Sequence, residues 1–90
     1  MTKNQLAHQT ELLKRLARVE GQIRGIQRLI QADAECEAVL QQMTAARRAL
    51  DKAFFEMLAC VIESHVIEEA ETKPVADRMS EVKALLTKYA

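Results

Sequence analysis

Hydrophobic residues recur at alternating intervals of three and four along the first third of the chain. This spacing places apolar side chains on one face of an α-helix and predicts a first helix from about residue 6 to residue 31. Gly21 and Gly25 lie inside the pattern, where we expect them to permit close approach of another helix rather than to break the first. The stripe consists of Leu12, Leu16, Val19, Ile23, Ile26 and Ile30, with Leu13 and Leu29 beside it.

A second apolar stripe follows, with neither glycine nor proline inside it. Residues 32–34 are the predicted turn, with Asp33 as the N-cap of the next helix. That helix is predicted to continue to about Glu68, which makes it about 50 Å long at 1.5 Å per residue. Such a helix would overhang a monomer of 90 residues. Its apolar positions are Val39, Met43, Ala46, Leu50, Ala53, Met57 and Ile62.

Thr72 and Pro74 predict the start of a third, short helix, with Thr72 as its cap and Pro74 in its first turn. The stripe continues through Val75, Met79, Val82, Leu86 and Tyr89. We therefore expect an all-α fold in which one domain, residues 1–90, is a three-helix protomer of short, long and short helices. Because the long helix needs cover, the protomer is expected to oligomerise.

Composition agrees with helices, since 49% of the residues are hydrophobic but only 3% are aromatic. The formal net charge is zero, yet it is unevenly distributed: residues 1–52 hold nine Lys/Arg against six Asp/Glu, and residues 53–90 hold four against seven. A basic face of this kind suits nucleic acid, although charge runs usually form a solvated surface. The pattern has no helix-turn-helix or zinc-finger spacing. The basic residues flanking the two stripes are Lys14, Arg15, Arg18, Arg24, Arg28, Arg47, Arg48 and Lys52.

The chain has no apolar run long enough to cross a bilayer, and its polar start is unlike a signal peptide. We therefore expect a cytoplasmic protein without a membrane partner. Cysteines stay reduced in that compartment, so Cys36 and Cys60 indicate buried packing, metal ligands or reactive thiols rather than a structural disulfide.

Cys36, Val61 and His65 share one face of the second helix, within about 40° at 100° per residue. Cys36 and His65 are nevertheless about 43 Å apart along that helix, so a single chain cannot join them. Two antiparallel copies that cross near Leu50 would place Cys36 of one beside His65 of the other, twice by symmetry. Cys36 also lies in the first turn of the helix, where the dipole favours a thiolate.

Two further residues are candidates with more than one interpretation. Cys60 lies off the shared face, so it is either a packing cysteine or a second thiol that reacts with Cys36 of the partner subunit. His8 is either solvated or closes over the site as a further ligand. His65 alone would be interpreted as an ordinary helix histidine, and its antiparallel register with Cys36 is what makes it a candidate ligand.

Three stretches carry a resemblance to a known family. Residues 15–26 are RLARVEGQIRGI, and residues 36–47 are CEAVLQQMTAAR, followed by ALDKA at 49–53. In combination these strings resemble the copper-, nickel/cobalt- and formaldehyde-sensing repressor family (CsoR/RcnR/FrmR). The resemblance spans about residues 6–90 without an obvious gap.

The resemblance implies an antiparallel helical dimer, commonly assembled into a disc of two dimers, that represses transcription and is not an enzyme. It implies binding to double-stranded operator DNA without a helix-turn-helix, and release when an effector binds at the cysteine site between subunits. Arg15 and Lys52 match the family's basic DNA-binding positions, and Arg18 and Arg48 are their neighbours. The absence of aromatic residues near them favours contacts with phosphates and groove shape.

Cys36 matches the family's sensing cysteine, and His65 matches a position held by Cys in copper sensors and His in nickel/cobalt sensors. Metal sensors of the family carry His where this chain has Val61. A transition-metal ion is the cofactor that the resemblance implies, with no organic cofactor. The remaining candidates to complete its coordination are His8, Cys60, Glu63 and Glu69.

Other effectors and another class of function stay open. The formaldehyde branch uses an N-terminal Pro where this chain has Thr2, and the persulfide branch carries cysteines at the positions of Cys36 and His65, whereas the second cysteine here is Cys60. A redox, persulfide or formaldehyde sensor built on Cys36 is the alternative within the family. A helical interaction or metal-buffering protein that does not bind DNA is the alternative outside it.

Overall fold

The computed structural model describes the backbone of residues 3–90 and the side chains of residues 8–90. It contains helix α1 (Lys3–Gln31), helix α2 (Cys36–Glu63), a π-helical turn (Ser64–Glu68) and helix α3 (Val75–Tyr89). No strand occurs in residues 3–90, so the all-α prediction is confirmed. The first helix is not short, however: α1 has 29 residues and α2 has 28. It starts earlier than its apolar stripe because residues 3–6 contain neither glycine nor proline.

The turn between α1 and α2 corrects the predicted role of Asp33. Asp33 has a φ of 55°, and the N-cap of α2 is Glu35, which makes no capping hydrogen bond through its side chain. The amide of Ala34 donates to the carbonyl of Leu29 at 3.0 Å, and the amide of Asp33 donates to the carbonyl of Ile30 at 3.2 Å. These two bonds form a Schellman motif, so Asp33 ends α1 instead of starting α2. Aspartate tolerates this left-handed conformation better than most residues.

Helices α1 and α2 pair in antiparallel directions. His8 contacts Glu63 and Arg15 contacts Glu56, so seven residues forward along α1 correspond to seven residues back along α2. The buried side chains follow the same step of seven: they are Leu12, Val19 and Ile26 on α1, and Ala46, Ala53 and Cys60 on α2. Large residues on α1 thus face small ones on α2, which permits the two helices to lie close together along their whole length.

The end of α2 widens into a π-helical turn, in which the amide of Glu69 donates to the carbonyl of Ser64 at 3.1 Å. The predicted end at Glu68 is confirmed, although the last turn has this different geometry. Thr72 does not cap α3: its hydroxyl donates to the carbonyl of Glu69 at 3.3 Å, and the N-cap is Pro74. Pro74 takes this position because its fixed φ of −61° is combined with an extended ψ of 155°.

Arg78 of α3 ties this third helix to the π-helical turn. Its Nη1 donates to the carbonyl of Val66 at 2.8 Å, and its Nε donates to the carbonyl of Lys73 at 3.1 Å. These carbonyls lie beyond the regular hydrogen-bonding ladder of α2, so a guanidinium is a suitable donor for them.

The protomer is a flat layer of helices with overall dimensions of 57 × 26 × 12 Å. Its smallest dimension is close to the diameter of a single helix, so many apolar side chains lack cover within one chain. Two of the exposed stripes also have steps of seven: they are Leu16, Ile23 and Ile30 on α1, and Met43, Leu50 and Met57 on α2. None of the described helices is long and apolar enough to cross a membrane.

Candidate functional site

Four basic side chains converge on a groove between α1 and α2. Arg15 and Arg18 come from α1, and Arg48 and Lys52 come from α2; together they line a cavity of about 300 Å³. Each pair of basic residues is separated by three or four positions, which places both members on one face of their helix. The structure therefore brings together all four residues that the sequence analysis assigned to DNA.

Gln22 is a member of this groove that the sequence analysis missed. Its Oε1 atom is buried and has no hydrogen-bond partner among residues 8–90. It lies one helical turn beyond Arg18 on α1, so the spacing of Arg15, Arg18 and Gln22 is the only sequence signal that could have identified it. An amide in this position can hydrogen-bond to whatever occupies the groove.

Arg15 is the basic residue most engaged with the protein itself. Its Nε donates to Oε2 of Glu56 at 2.7 Å, and its Nη2 lies 3.7 Å from Oε1 of Glu11. Two carboxylates therefore compete with any anion that enters the groove at this point. Glu56 was not identified from the sequence because its partner is 41 residues away.

Cys36 is the first residue of α2 and is exposed in the protomer. It lines an apolar groove of about 540 Å³ with Ile30, Val39, Leu40 and Met43. Cys36 also lies seven residues before Met43 and thus begins the exposed stripe of α2. The thiol consequently lies on the same uncovered surface as the apolar residues that require a partner.

His65 lies in the π-helical turn, at the opposite end of this long helix from Cys36. Its Nδ1 is 3.0 Å from Oε2 of Glu69 and 2.8 Å from Oε2 of Glu81. Nζ of Lys73 lies 2.6 Å from Oε1 of Glu81. Sequence reasoning named Glu69 but missed Lys73 and Glu81, because α3 folds back onto the π-helical turn by a route that no local pattern reveals.

Cys60 is the most buried side chain of those described, at 2% exposure. Burial is the first cause that raises the pKa of its thiol, with Glu63 and Glu68 adding to it. Cys36 and Cys60 are 24 residues apart on one helix, or about 36 Å, whereas a disulfide requires Cα atoms within about 7 Å. The packing role predicted for Cys60 agrees with this position, and the two thiols of one chain cannot meet.

His8 is partly exposed and lies beside two acidic residues of α2. Its side chain is 22% exposed, with Nε2 3.3 Å from Glu63 and Nδ1 3.6 Å from Glu56. The hydrogen bond to Glu63 is the main reason that the pKa of His8 is raised above 6.5. His8 therefore joins α1 to the acidic side of α2 instead of extending into solvent.

The donor atoms in these positions are suited to a transition-metal ion. Cys36 offers a soft thiolate and His65 an imidazole, and both of these suit zinc, copper and nickel. Within one chain the two are separated by almost the full length of α2. A site containing both therefore needs a second copy, whereas Val61 lies in an apolar groove with Leu85 and Tyr89 and supplies no ligand.

Comparison with known proteins places these features in a family. The model of the family described as metal-sensitive transcriptional repressor matches residues 8–88. The chain is 40% identical over 78 residues to the copper-sensing transcriptional repressor RicR of Mycobacterium tuberculosis, covering 83% of this chain and 80% of RicR. A Serratia marcescens protein described as an uncharacterized protein in the bioA 5' region is 35% identical over 82 residues, covering 88% and 85% of the two chains.

Two solved structures share the fold. The nickel-responsive transcriptional regulator InrS has a TM-score of 0.78 at 30% identity, covering 90% of this chain and 91% of InrS. A variant of the formaldehyde-responsive regulator FrmR from Salmonella enterica serovar Typhimurium has a TM-score of 0.74 at 31% identity, covering 93% and 96%. This chain belongs to the metal-sensitive transcriptional repressor family. The family resemblance noted from the sequence is confirmed, and its members are regulators of transcription rather than enzymes.

Proposed function

We propose that this chain is a cytoplasmic homo-oligomeric repressor that binds double-stranded operator DNA through the basic groove. An inducer engages Cys36 together with His65 of the partner subunit and thereby releases the DNA. The convergence of Arg15, Arg18, Arg48 and Lys52 on one groove is the observation that carries this proposal. It explains how a chain with no net charge can attract a polyanion.

The groove is suited to the sugar-phosphate backbone of a duplex. Three guanidinium groups and one ammonium group are donors without acceptor capacity, and guanidinium groups bind phosphate through two parallel hydrogen bonds. Among residues 8–90, the groove is lined by the small residues Ala45 and Ala49 and by no aromatic side chain on which a base could stack. Contacts of this kind position a protein on duplex DNA and give affinity that depends strongly on salt.

The uncovered stripes support the association of two copies. Leu50 lies at the middle of the stripe on α2 and is 49% exposed. It is also close to the midpoint between Cys36 and His65, so an antiparallel crossing at Leu50 buries the stripe and joins the two candidate ligands in one step. A protomer that is one helix thick leaves both of its faces uncovered, so it requires other subunits to cover them. The oligomeric assembly of the family would meet this requirement.

Helix α2 provides the physical link between the inducer site and the groove. It carries Cys36 at its first turn and Arg48 and Lys52 near its middle, while Arg15 and Arg18 lie on α1. A bound transition-metal ion would take the thiolate and the imidazole as ligands. A movement of α2 that brought Cys36 and His65 of the partner subunit to the same ion would also shift Arg48 and Lys52. Their positions relative to Arg15 and Arg18 on α1 would then change. Allosteric coupling of this kind is typically about 1–3 kcal/mol.

Charge-neutral variants of the groove test its role directly. Binding to the promoter region of the gene that encodes this chain would be measured by fluorescence anisotropy over a series of salt concentrations. We expect Arg48→Gln and Lys52→Gln each to weaken binding and to reduce the slope of log K against log salt by about one. Lys83→Gln removes the same charge from α3, outside the groove. This control variant should change neither the affinity for DNA nor the slope. Equal behaviour of all three variants would favour the rival, a helical or metal-buffering protein that does not bind DNA.

A thiol-reactive inducer is the second candidate, and the exposure of Cys36 favours it. A persulfide or formaldehyde would react at this thiol without needing His65. The burial of Cys60 argues against a dithiol mechanism within the folded protomer. Native mass spectrometry of the reduced protein after exposure to Cu(I), Zn(II), Ni(II), an organic persulfide or formaldehyde separates a metal adduct from a covalent one, with Cys36→Ala as the control.

A further inference from the structure

Three side chains from two separate elements meet around His65, one of the two candidate ligands of the proposed inducer site. His65 and Glu69 lie one turn apart at the end of the second helix, and Glu81 approaches from α3. One ligand atom from each lies within 4.8 Å of the other two. All three residues belong to the same chain, so this cluster is complete in one protomer.

The two carboxylates divide their oxygens between two nitrogen atoms, one of Lys73 and one of His65. Oε1 of each faces Lys73, at 2.6 Å for Glu81 and 3.6 Å for Glu69. Oε2 of each faces Nδ1 of His65, at 2.8 Å and 3.0 Å respectively. Lys73 therefore lies on the side of both carboxylates that faces away from His65.

A single proton on Nδ1 of His65 cannot form a full hydrogen bond to both Glu69 and Glu81. Nδ1 carries at most one hydrogen, and it is hydrogen-bonded to Glu69. Oε2 of Glu81 is buried and has no hydrogen-bond partner among residues 8–90, although it lies only 2.8 Å from Nδ1. An anionic oxygen left in this state is costly, so the cluster has an acceptor that a cation would satisfy.

We propose that Nδ1 of His65 and the Oε2 atoms of Glu69 and Glu81 form a binding site for a divalent first-row metal ion within each protomer. The ion would replace the proton on Nδ1 and accept one electron pair from each of the three atoms. Lys73 stays on the opposite side of the carboxylates, where it orients them. Its positive charge limits the affinity, so the ion exchanges with solvent.

The separations of the ligand atoms select a coordination geometry. An octahedral ion with bonds of about 2.1 Å places neighbouring ligands about 3.0 Å apart, whereas a tetrahedral zinc site places them about 3.4 Å apart. The distances of 2.8 Å and 3.0 Å from Nδ1 match the octahedral value. One imidazole nitrogen and two carboxylate oxygens are ligands that suit nickel, cobalt and manganese. Among these, affinity is expected to fall in the order nickel, cobalt, manganese.

This metal site shares His65 with the inducer site proposed above, but it contains no sulfur and needs no partner subunit. The inducer site can use His65 only through its other nitrogen, Nε2. Removal of Cys36 should therefore abolish the inducer site and leave this metal site intact. The two proposals can consequently fail separately.

The test titrates Co(II) and Ni(II) into the full chain carrying Cys36→Ala, with calorimetry and visible absorption as readouts. We expect one ion per protomer and the weak absorption of six-coordinate Co(II), without a thiolate charge-transfer band. Adding Glu69→Gln or Glu81→Gln should weaken binding at least about tenfold, since each removes an anionic ligand but keeps the size of the side chain. Glu71→Gln is the matched control, because it removes the same charge from a nearby exposed position.

Two results would overturn this site. The first is the absence of one-to-one binding in the Cys36→Ala protein, which would mean that the cluster is an internal network of ion pairs only. The second is equal affinity of the Glu81→Gln and Glu71→Gln variants, which would place any bound ion elsewhere. Helical circular dichroism of each variant shows that the protein has folded, so that lost binding cannot be attributed to unfolding.

Discussion

Glu56 accepts a hydrogen bond of 2.7 Å from Arg15, so one of the four basic residues of the groove is held by a carboxylate of the opposite helix. The same carboxyl group lies 3.6 Å from Nδ1 of His8. Glu56 therefore joins the groove to the first histidine of the chain. A DNA phosphate that enters the groove has to compete with Glu56 for Arg15.

Replacing Glu56 by glutamine should strengthen DNA binding. The variant keeps the size of the side chain but removes the negative charge that occupies Arg15, so we expect an affinity about two- to fivefold higher at low salt. Fluorescence anisotropy with promoter DNA would measure the change. Glu71→Gln alters the net charge equally at a distance from the groove, and a gain of the same size in that variant would show that Glu56 has no special role.

The stability of the protein should depend on pH through His8. Its pKa in the folded protein is raised above 6.5, first by the hydrogen bond to Glu63 and also by Glu56. The stabilisation by protonated His8 is thus fully present below about pH 6.5 and is lost as the pH rises through the higher folded value. We expect His8→Gln to lower the free energy of unfolding at about pH 6 more than at about pH 8.5.

Urea denaturation at one fixed protein concentration would measure this difference, because association also contributes to apparent stability. Glu63 and Glu56 are the charged groups that contact His8, and Arg15 contacts Glu56 in turn. If His8→Gln lowered the free energy of unfolding equally at both pH values, the ion pairs of His8 with Glu63 and Glu56 would not contribute to stability.

The two cysteines should react at very different rates. Cys36 is exposed, whereas Cys60 is 2% exposed and has a pKa raised by burial. We expect N-ethylmaleimide to modify one thiol per chain quickly in the native protein and the second only after denaturation. Mass spectrometry of the intact chain counts the adducts, and Cys36→Ala should abolish the fast reaction. Comparable rates at both thiols would show that the pairing of α1 with α2 opens readily.

The sequence was sufficient to predict the helices, because they depend on regular spacing within one segment of the chain. The four basic residues were named from the family resemblance, and steps of three and four residues place Arg15 with Arg18 and Arg48 with Lys52 on one face of each helix. The meeting of the two pairs in one groove depends on the pairing of α1 with α2 and was not predicted. The turn was predicted in the right place, but the N-cap role predicted for Asp33 was wrong, since aspartate is common both as an N-cap and in the left-handed conformation.

Features that depend on contacts between helices could not be predicted. The apolar residues of α1 form one stripe in the sequence, but Val19 is buried against α2 while Ile23 remains exposed. The cluster of His65 and Glu81 depends on the direction in which α3 returns, and the π-helical turn has no sequence signature of its own. The contacts of His8 could not be predicted because its acidic partners are 48 and 55 residues away.

Association of the protomers should depend on the exposed stripe of α2. Leu50 lies at its centre and is 49% exposed in the protomer. We expect Leu50→Lys to shift the protein to the monomer, because a charge buried in an apolar interface is strongly unfavourable. Light scattering coupled to size exclusion would measure the mass, with Leu50→Met as the control of similar volume. Unchanged mass of the lysine variant would mean that the copies meet through another surface.

Release of DNA by an inducer at Cys36 is the central claim, and one titration tests it most directly. Preformed complexes of promoter DNA with the reduced wild-type protein and with Cys36→Ala would receive Cu(I), Zn(II), Ni(II), an organic persulfide or formaldehyde in separate experiments, with anisotropy as the readout. We predict that at least one of these releases the wild-type protein and that the same agent leaves the Cys36→Ala complex intact. Equal release of both proteins, or no release of the wild-type protein by any of the five, would contradict the claim.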